Sequence, residues 1–312
     1  MLKRPRNFAA PIIAALCVLV AGCGASGSGV TAGGAIVAVG AENQYANAIE
    51  QVGGRYVKVS AIESNPNTDP HSFEASPSVA ETVAAAGLVV QNGVGYDTFM
   101  ERIESASGGV GSNSRRRVID VQKLLGLPDS TRNPHLWYSP RTMPAVARAI
   151  AADLSALAPA HAAYFRARAA AFEQSLAPWL QALRRFAAEY PDTPVATTEP
   201  VGDYMLEAAG TVNLTPFGLQ ADIMNGVDPA PQDVTLQNAL FTSHRVKAFV
   251  YNQQVTDSLT QSFLEAAKRA GVPVVGVYET MPTPGYDYQS WMLAEVQALR
   301  RAVAEKRSTQ KL

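Results

Sequence analysis

The chain has 312 residues, four histidines and a formal net charge of −1. Its length is enough for two α/β lobes or one large domain, and the near-zero charge excludes the strongly basic composition of a typical nucleic-acid-binding protein. Both cysteines, Cys17 and Cys23, lie close to the N-terminus, so the rest of the chain has no thiols for a structural disulfide.

The N-terminus has the pattern of a secretory signal. A basic start precedes a short apolar run, which ends in the sequence VAGC at Cys23. The run is shorter than the ~20 residues that span a bilayer. Small residues before a cysteine are typical of a bacterial lipoprotein signal, so we predict a signal peptide over 1–22, lipidation of Cys23 and a flexible tether over 23–35. The alternative is an ordinary cleaved signal without a lipid. With the lipid, we expect the protein in the cell envelope, anchored to the membrane and facing the periplasm or the exterior.

Beyond the tether, short apolar runs alternate with amphipathic segments. This alternation predicts a mostly parallel sheet covered by helices on both faces. We expect strands over 35–40, 56–62, 87–93 and 117–121, and helices over 44–53, 77–86, 97–106 and 141–157. The sequence NGVGYD over 92–97 lacks the third glycine of a dinucleotide-binding motif, which favours a simple turn.

Between about 160 and 189, apolar residues repeat every 3.6 positions. At 1.5 Å per residue this helix would be ~45 Å long, which is more than one lobe needs. We therefore expect one long helix over 159–190, bent at Pro178, that joins an N-terminal lobe (36–158) to a C-terminal lobe (191–312). In the second lobe we expect strands over 193–198, 246–252 and 272–278, helices over 201–210, 258–271 and 288–306, and a loop-rich stretch over 214–233.

Two histidines lie in similar proline-rich loops, DPHSFEASP over 69–77 and NPHLWYSP over 133–140. Proline fixes its own φ and keeps the preceding residue out of the helical region, so each loop is locally stiff. A stiff loop holds His71 and His135 in place, as a metal ligand or a catalytic base requires. Taken singly, each could also be a structural loop histidine.

Two acids complete a candidate metal site at the carboxyl ends of the strands, where open α/β sheets bind ligands. Glu199 follows the strand over 193–198, and Glu279 follows the strand over 272–278. Together with His71 and His135, they would neutralise a divalent ion in a cleft between the lobes. The alternative for Glu199 is a partner for the helix that begins after Pro200.

The chain resembles the ZnuA/TroA-like (cluster A-I) metal-binding lipoproteins, the substrate-binding components of bacterial zinc and manganese ABC transporters. DPHSFEASPSVAE and NPHLWYSP resemble the two histidine motifs of that family, over a match from about residue 36 to about 304. The family's third ligand stands five residues before a tyrosine, as Glu199 stands before Tyr204, and its fourth is an acid at the position of Glu279. The resemblance implies two α/β lobes bridged by a long helix, with the metal bound between them.

The resemblance further implies a monomeric binding protein that delivers its ion to ABC permease subunits and has no enzymatic activity. The expected cargo is Zn2+ or Mn2+, with Fe2+ as a further candidate. Many zinc-binding members have a histidine where this chain has Glu199. Two carboxylates can expand the coordination through bidentate oxygens, which suits manganese or iron better than three imidazoles do. The alternatives are an envelope-anchored metal-dependent hydrolase and a surface adhesin.

Overall fold

The computed structural model describes residues 1–2, 34–106 and 116–312. Cys23 and most of the predicted signal peptide and tether lie outside these residues. Within the described ranges, no helix has both the length and the apolar character that crossing a bilayer requires.

The first lobe contains a parallel sheet with the strand order β2-β1-β3-β4. In β1, Ala38 faces one apolar cluster, whereas Val39 and Ala41 face another on the opposite side of the sheet. Successive side chains of a strand point to opposite faces, so β1 is buried on both, as is typical when crossover helices cover both sides. The strands are β1 (Ile36–Glu42), β2 (Val57–Glu63), β3 (Leu88–Gln91) and β4 (Arg117–Asp120), and the helices are α1 (Asn43–Gly53), α2 (Pro77–Ala84), α3 (Thr98–Ala106), α4 (Val121–Leu124) and α5 (Thr142–Leu157).

Two helices joined end to end, α6 (Ala162–Ser175) and α7 (Ala177–Glu189), follow the first lobe. The helical pattern is interrupted at Leu176, two residues before the proline at which we expected a bend. Pro178 has no N–H to donate to the carbonyl four residues earlier, so the helix cannot continue unbroken through this point. α6 packs against α1 and α5 of the first lobe, whereas α7 packs against helices of the second lobe.

The second lobe repeats the same topology, with the strand order β6-β5-β7-β8 in a parallel sheet. The stretch 214–233, which we expected to be loop-rich, contains a full helix and the start of another. Leu219 and Ile223 lie four residues apart and bury one face of the first of them in a local apolar cluster. The strands are β5 (Thr193–Thr197), β6 (Thr211–Asn213), β7 (Ala248–Asn252) and β8 (Val274–Val277), and the helices are α8 (Asp203–Ala208), α9 (Phe217–Met224), α10 (Pro231–Thr242), α11 (Ser258–Arg269) and α12 (Tyr288–Glu305).

One apolar cluster runs through both lobes. It includes Val90 of β3, Phe172 of α6, Val250 of β7 and Trp291 of α12. Trp179 of α7 packs edge-on against the ring of another buried member, Tyr288. The two lobes therefore share a continuous apolar core.

The C-terminal residues lie along the edge of the second sheet. Within that sheet β8 is an edge strand, and Thr309 forms a parallel bridge with Val275. The Thr309 carbonyl accepts from Gly276 N at 2.9 Å, and its own N–H donates to Val274 O at 2.8 Å. A side chain at Gly276 would overlap the backbone of Gln310, so glycine at this position permits the close approach of the tail.

Candidate metal centre

His71 lies on a short 3-10 turn, Pro70–Ser72, in the loop after β2. The Asp69 carboxylate caps this turn by accepting from His71 N at 2.8 Å, and Pro70 fixes φ at the first position of the turn. The imidazole points toward Glu279, with Nε2 3.1 Å from Glu279 Oε2, and 22% of the His71 side chain is exposed. The histidine is thus held from its backbone side, and its ring is the part of the centre nearest to solvent.

His135 is fully buried at the start of a second 3-10 turn, Leu136–Tyr138. Asn133 Oδ1 accepts from His135 N at 3.0 Å and lies 2.8 Å from its Nδ1. Asn133 Nδ2 donates to Pro200 O at 2.7 Å, which fixes the orientation of the amide. Because Oδ1 can only accept, Nδ1 carries a proton, and the other ring nitrogen, Nε2, lies 3.2 Å from Glu279 Oε2.

Glu279 follows β8 and is held by contacts from both lobes. Gln254 Oε1 accepts from Glu279 N at 2.6 Å. From the first lobe, Asn43 of α1 forms a reciprocal pair of hydrogen bonds with the backbone of Met281, at 2.8 and 2.9 Å. The Oε2 atom that faces the histidines also accepts from Tyr96 OH at 3.0 Å. The carboxylate is therefore fixed where the two lobes meet.

Glu199 is buried two residues after the end of β5, and it forms no ion pair with His71 or His135. Asn252, the last residue of β7, donates from Nδ2 to Glu199 Oε1 at 3.1 Å and to Glu279 Oε1 at 2.7 Å. Glu199 Oε2 is buried and has no hydrogen-bond partner. The structure thus brings His71, His135 and Glu279 together directly and connects Glu199 to them through one amide group.

The charges of the centre are strongly coupled. Burial alone would raise the pKa of Glu279, but the two neighbouring imidazoles outweigh burial and hold this pKa well below its ordinary value. Burial opposes a charge on His71, but the Glu279 carboxylate outweighs it and raises the pKa of His71. Burial lowers the pKa of His135. Burial, followed by the charge of Glu279, raises the pKa of Glu199 well above its ordinary value.

This arrangement is chemically suited to a divalent cation. His71, His135 and Glu279 each offer one ligand atom, and these three atoms lie within 4.8 Å of one another. The described parts of the chain contain no other group of three His, Cys, Asp or Glu residues that meets this distance. In its neutral form with the proton on Nδ1, His135 offers the Nε2 lone pair to a cation placed between it and the Glu279 carboxylate. The ligand roles of the four residues remain predictions.

Sequence reasoning missed two residues of the centre, Asn252 and Tyr96. Asn252 ends a fully buried strand, and a polar residue at the carboxyl end of a buried strand is the signal that could have found it.

The NGVGYD segment, which contains Tyr96, is a turn, as expected. Gly93, Val94 and Gly95 all have positive φ, which is unusual for a β-branched valine. This turn brings the Tyr96 hydroxyl to Glu279.

A family model described as "ZnuA: Zinc-uptake complex component A periplasmic" matches residues 39–302. Among curated proteins, the manganese-binding lipoprotein MntA of Bacillus subtilis is 26% identical over 254 residues, which is 80% of this chain and 81% of MntA. The family match covers most of the chain, including all four predicted ligands.

Solved structures share the fold. The periplasmic zinc-binding protein TroA from Treponema pallidum aligns with a TM-score of 0.71 and 20% identity, over 88% of this chain and all of TroA. The solute-binding protein FpvC of Pseudomonas aeruginosa, solved in complex with Mn2+, aligns with a TM-score of 0.68 and 20% identity, over 86% of this chain and 98% of FpvC. The predicted α/β fold of two lobes with parallel sheets is confirmed.

Proposed function

The chain belongs to the ZnuA family of periplasmic zinc-uptake components, and we propose that it captures a divalent transition metal ion and delivers it to the permease of an ABC importer. The observation that carries this proposal is the convergence of His71 Nε2, His135 Nε2 and Glu279 Oε2 within 4.8 Å. Such a cluster of lone pairs is stabilised by a cation.

The proposed ligands are His71, His135, Glu199 and Glu279. The unpartnered Oε2 atom of the buried Glu199 supports its inclusion, because an ion at the centre would give this oxygen the partner that it lacks. Two neutral imidazoles and two carboxylates would balance the charge of a divalent ion, which offsets much of the cost of burying it.

The proposed cargo is Zn2+ or Mn2+, with Fe2+ as a further candidate. Two of the relatives are named for manganese and zinc, and FpvC was solved with Mn2+ and with Ni2+. Zn2+ should bind more tightly than Mn2+ in vitro whichever ion is imported, because the Irving–Williams order places it higher. Affinity alone therefore does not identify the cargo.

We further propose that the protein is monomeric and attached to the membrane through a lipid on Cys23, followed by a tether to residue 35. The name of MntA, a lipoprotein, supports this anchor. The proposed organisation is an N-terminal lobe over 36–158, a linking segment over 159–190 and a C-terminal lobe over 191–312. The family's role in uptake supports binding without catalysis.

Calorimetric titration of the purified, metal-depleted protein with Zn2+ and Mn2+ tests the proposal. We expect one ion per chain and a loss of affinity of about 100-fold or more in His135→Ala, since this ring supplies a buried ligand. His161→Ala is the matched control, because His161 stacks on Tyr56 with a centroid distance of 3.8 Å and has no contact with the centre. Equal affinity in the parent and in His135→Ala would refute the proposed site.

A further inference from the structure

The amide of Asn252 lies between the two buried acids of the centre. Its single Nδ2 atom donates to Glu279 Oε1 at 2.7 Å and to Glu199 Oε1 at 3.1 Å. All three residues are at most 2% exposed. A primary amide has two N–H groups, so each carboxylate receives one of them.

The orientation of this amide follows from its other contacts. Asn252 Oδ1 accepts from Gln254 N at 3.0 Å, and the Asn252 backbone N–H donates to Thr198 Oγ1 at 3.0 Å. A flipped amide would place two donors against Gln254 N and an acceptor against two carboxylates. Only the orientation with Nδ2 toward the acids satisfies all of these groups.

The consequence is an asymmetry within each carboxylate. In both acids Oε1 is occupied by Asn252, whereas Oε2 is the oxygen left for a ligand. Glu279 Oε2 is the atom that faces both imidazoles, and Glu199 Oε2 is buried without a partner. The two imidazole nitrogens and the Oε2 atom of each glutamate would therefore offer an ion four donor atoms.

We propose that Asn252 is a specificity-determining residue, which restricts both glutamates to one-oxygen binding and thereby favours four-coordinate Zn2+ over Mn2+. This inference rests on the proposed function and deepens it. Tetrahedral sites with four donor atoms suit Zn2+, whereas Mn2+ prefers more oxygen donors in octahedral geometry. From the sequence, two carboxylates can expand the coordination through bidentate oxygens; the proposed role of Asn252 opposes that expansion.

The test begins with the parent protein loaded with Co2+, whose visible absorption is strong in four-coordinate sites and weak in six-coordinate sites. We expect the strong absorption of a four-coordinate site.

The second measurement compares Mn2+ and Zn2+ affinities in the parent and in Asn252→Leu, whose side chain keeps the approximate shape of asparagine but has no N–H group. We expect the ratio of Mn2+ to Zn2+ affinity to rise by about tenfold or more, because a residue that hydrogen-bonds a ligand is typically worth ~10–100-fold.

Asn213→Leu is the matched control, since Asn213 Nδ2 also donates to two side chains in the second lobe, Thr197 and Asp203, neither of which is a proposed ligand. Its affinity ratio should equal that of the parent. An unchanged ratio in a folded Asn252→Leu, or a weak six-coordinate Co2+ spectrum in the parent, overturns the inference. If Asn252→Leu does not fold, the parent spectrum alone decides. A parent that binds neither Zn2+ nor Mn2+ would instead refute the proposed function.

Discussion

Replacing Glu295 by glutamine should stabilise the protein, and increasingly so as the pH rises. Glu295 lies on α12 with no exposed surface. Its Oε1 atom accepts from Trp291 Nε1 at 2.7 Å and from Tyr138 OH at 2.9 Å, whereas Oε2 has no partner. No cation contacts the carboxyl in the described structure. Burial therefore raises its pKa from 4.5 to about 8, despite these hydrogen bonds.

The size and sign of the effect follow from this shift. The folded protein keeps a proton on Glu295 up to about pH 8, whereas the unfolded chain releases it near 4.5. The stability that the neutral Glu295 contributes is therefore fully present below pH 4.5, the pKa in the unfolded chain. It is lost as the pH rises through about 8, the pKa in the folded protein. At ~1.4 kcal/mol per pH unit, the interval from 4.5 to about 8 amounts to about 5 kcal/mol. Glutamine resembles the protonated acid but has no proton to lose, so Glu295→Gln should escape this loss.

Urea denaturation of the metal-free parent and variant at several pH values between about 5 and 9 measures the difference. Subtracting the two curves cancels the contributions of other buried acids, such as Glu42 and Glu63, whose pKa values burial also raises. Glu305→Gln, on the exposed end of the same helix, is the matched control. If the difference between Glu295→Gln and the parent does not grow with pH, the account of Glu295 as a buried neutral acid is wrong.

Three further predictions concern the metal centre. Glu199→Gln should weaken Zn2+ binding by about 100-fold in competition titrations while leaving the fold intact, because it removes one of the two carboxylates that would balance the charge of the ion; equal affinity would mean that Glu199 is only a helix partner. Lowering the pH from about 8 to about 5 should release the ion, as measured by dialysis and metal analysis, because the imidazoles of His71 and His135 must lose their protons to bind it; retention at low pH would contradict histidine ligation. Metal loading should leave the radius of gyration in solution scattering unchanged, because one apolar cluster joins the lobes; a large decrease would indicate hinge closure.

The parts of the centre that could be predicted from sequence depend on local chemistry. Proline beside His71 and His135 indicates two stiff loops, and the structure shows a short 3-10 turn at each histidine. Glu199 and Glu279 were found because each follows a buried strand, and the carboxyl ends of parallel strands face the cleft. The alternation of strands and helices likewise predicted the parallel sheets, because the pattern reports which faces are buried.

The parts that could not be predicted depend on contacts between distant segments. Asn252 contacts both acids because two other strands place Glu199 and Glu279 on either side of its amide. The sequence around Asn252 does not predict this arrangement. Tyr96 reaches Glu279 across 183 positions of sequence. The helix α9 was missed because glycine and proline near its ends indicate a loop, whereas its stability comes from packing Leu219 and Ile223 onto the second sheet. Tertiary packing decided each of these cases.

The C-terminal tail has a consequence for handling the protein. The last residues pair with β8 through Thr309, and they protect an edge strand whose free N–H and C=O groups would otherwise be open to another chain. Cleavage by a contaminating protease near Lys306, or a bulky tag fused after Leu312 that pulls the tail away, would uncover this edge. Such preparations should form edge-to-edge aggregates even though the four proposed ligands are intact, and a loss of soluble yield would then say nothing about metal binding.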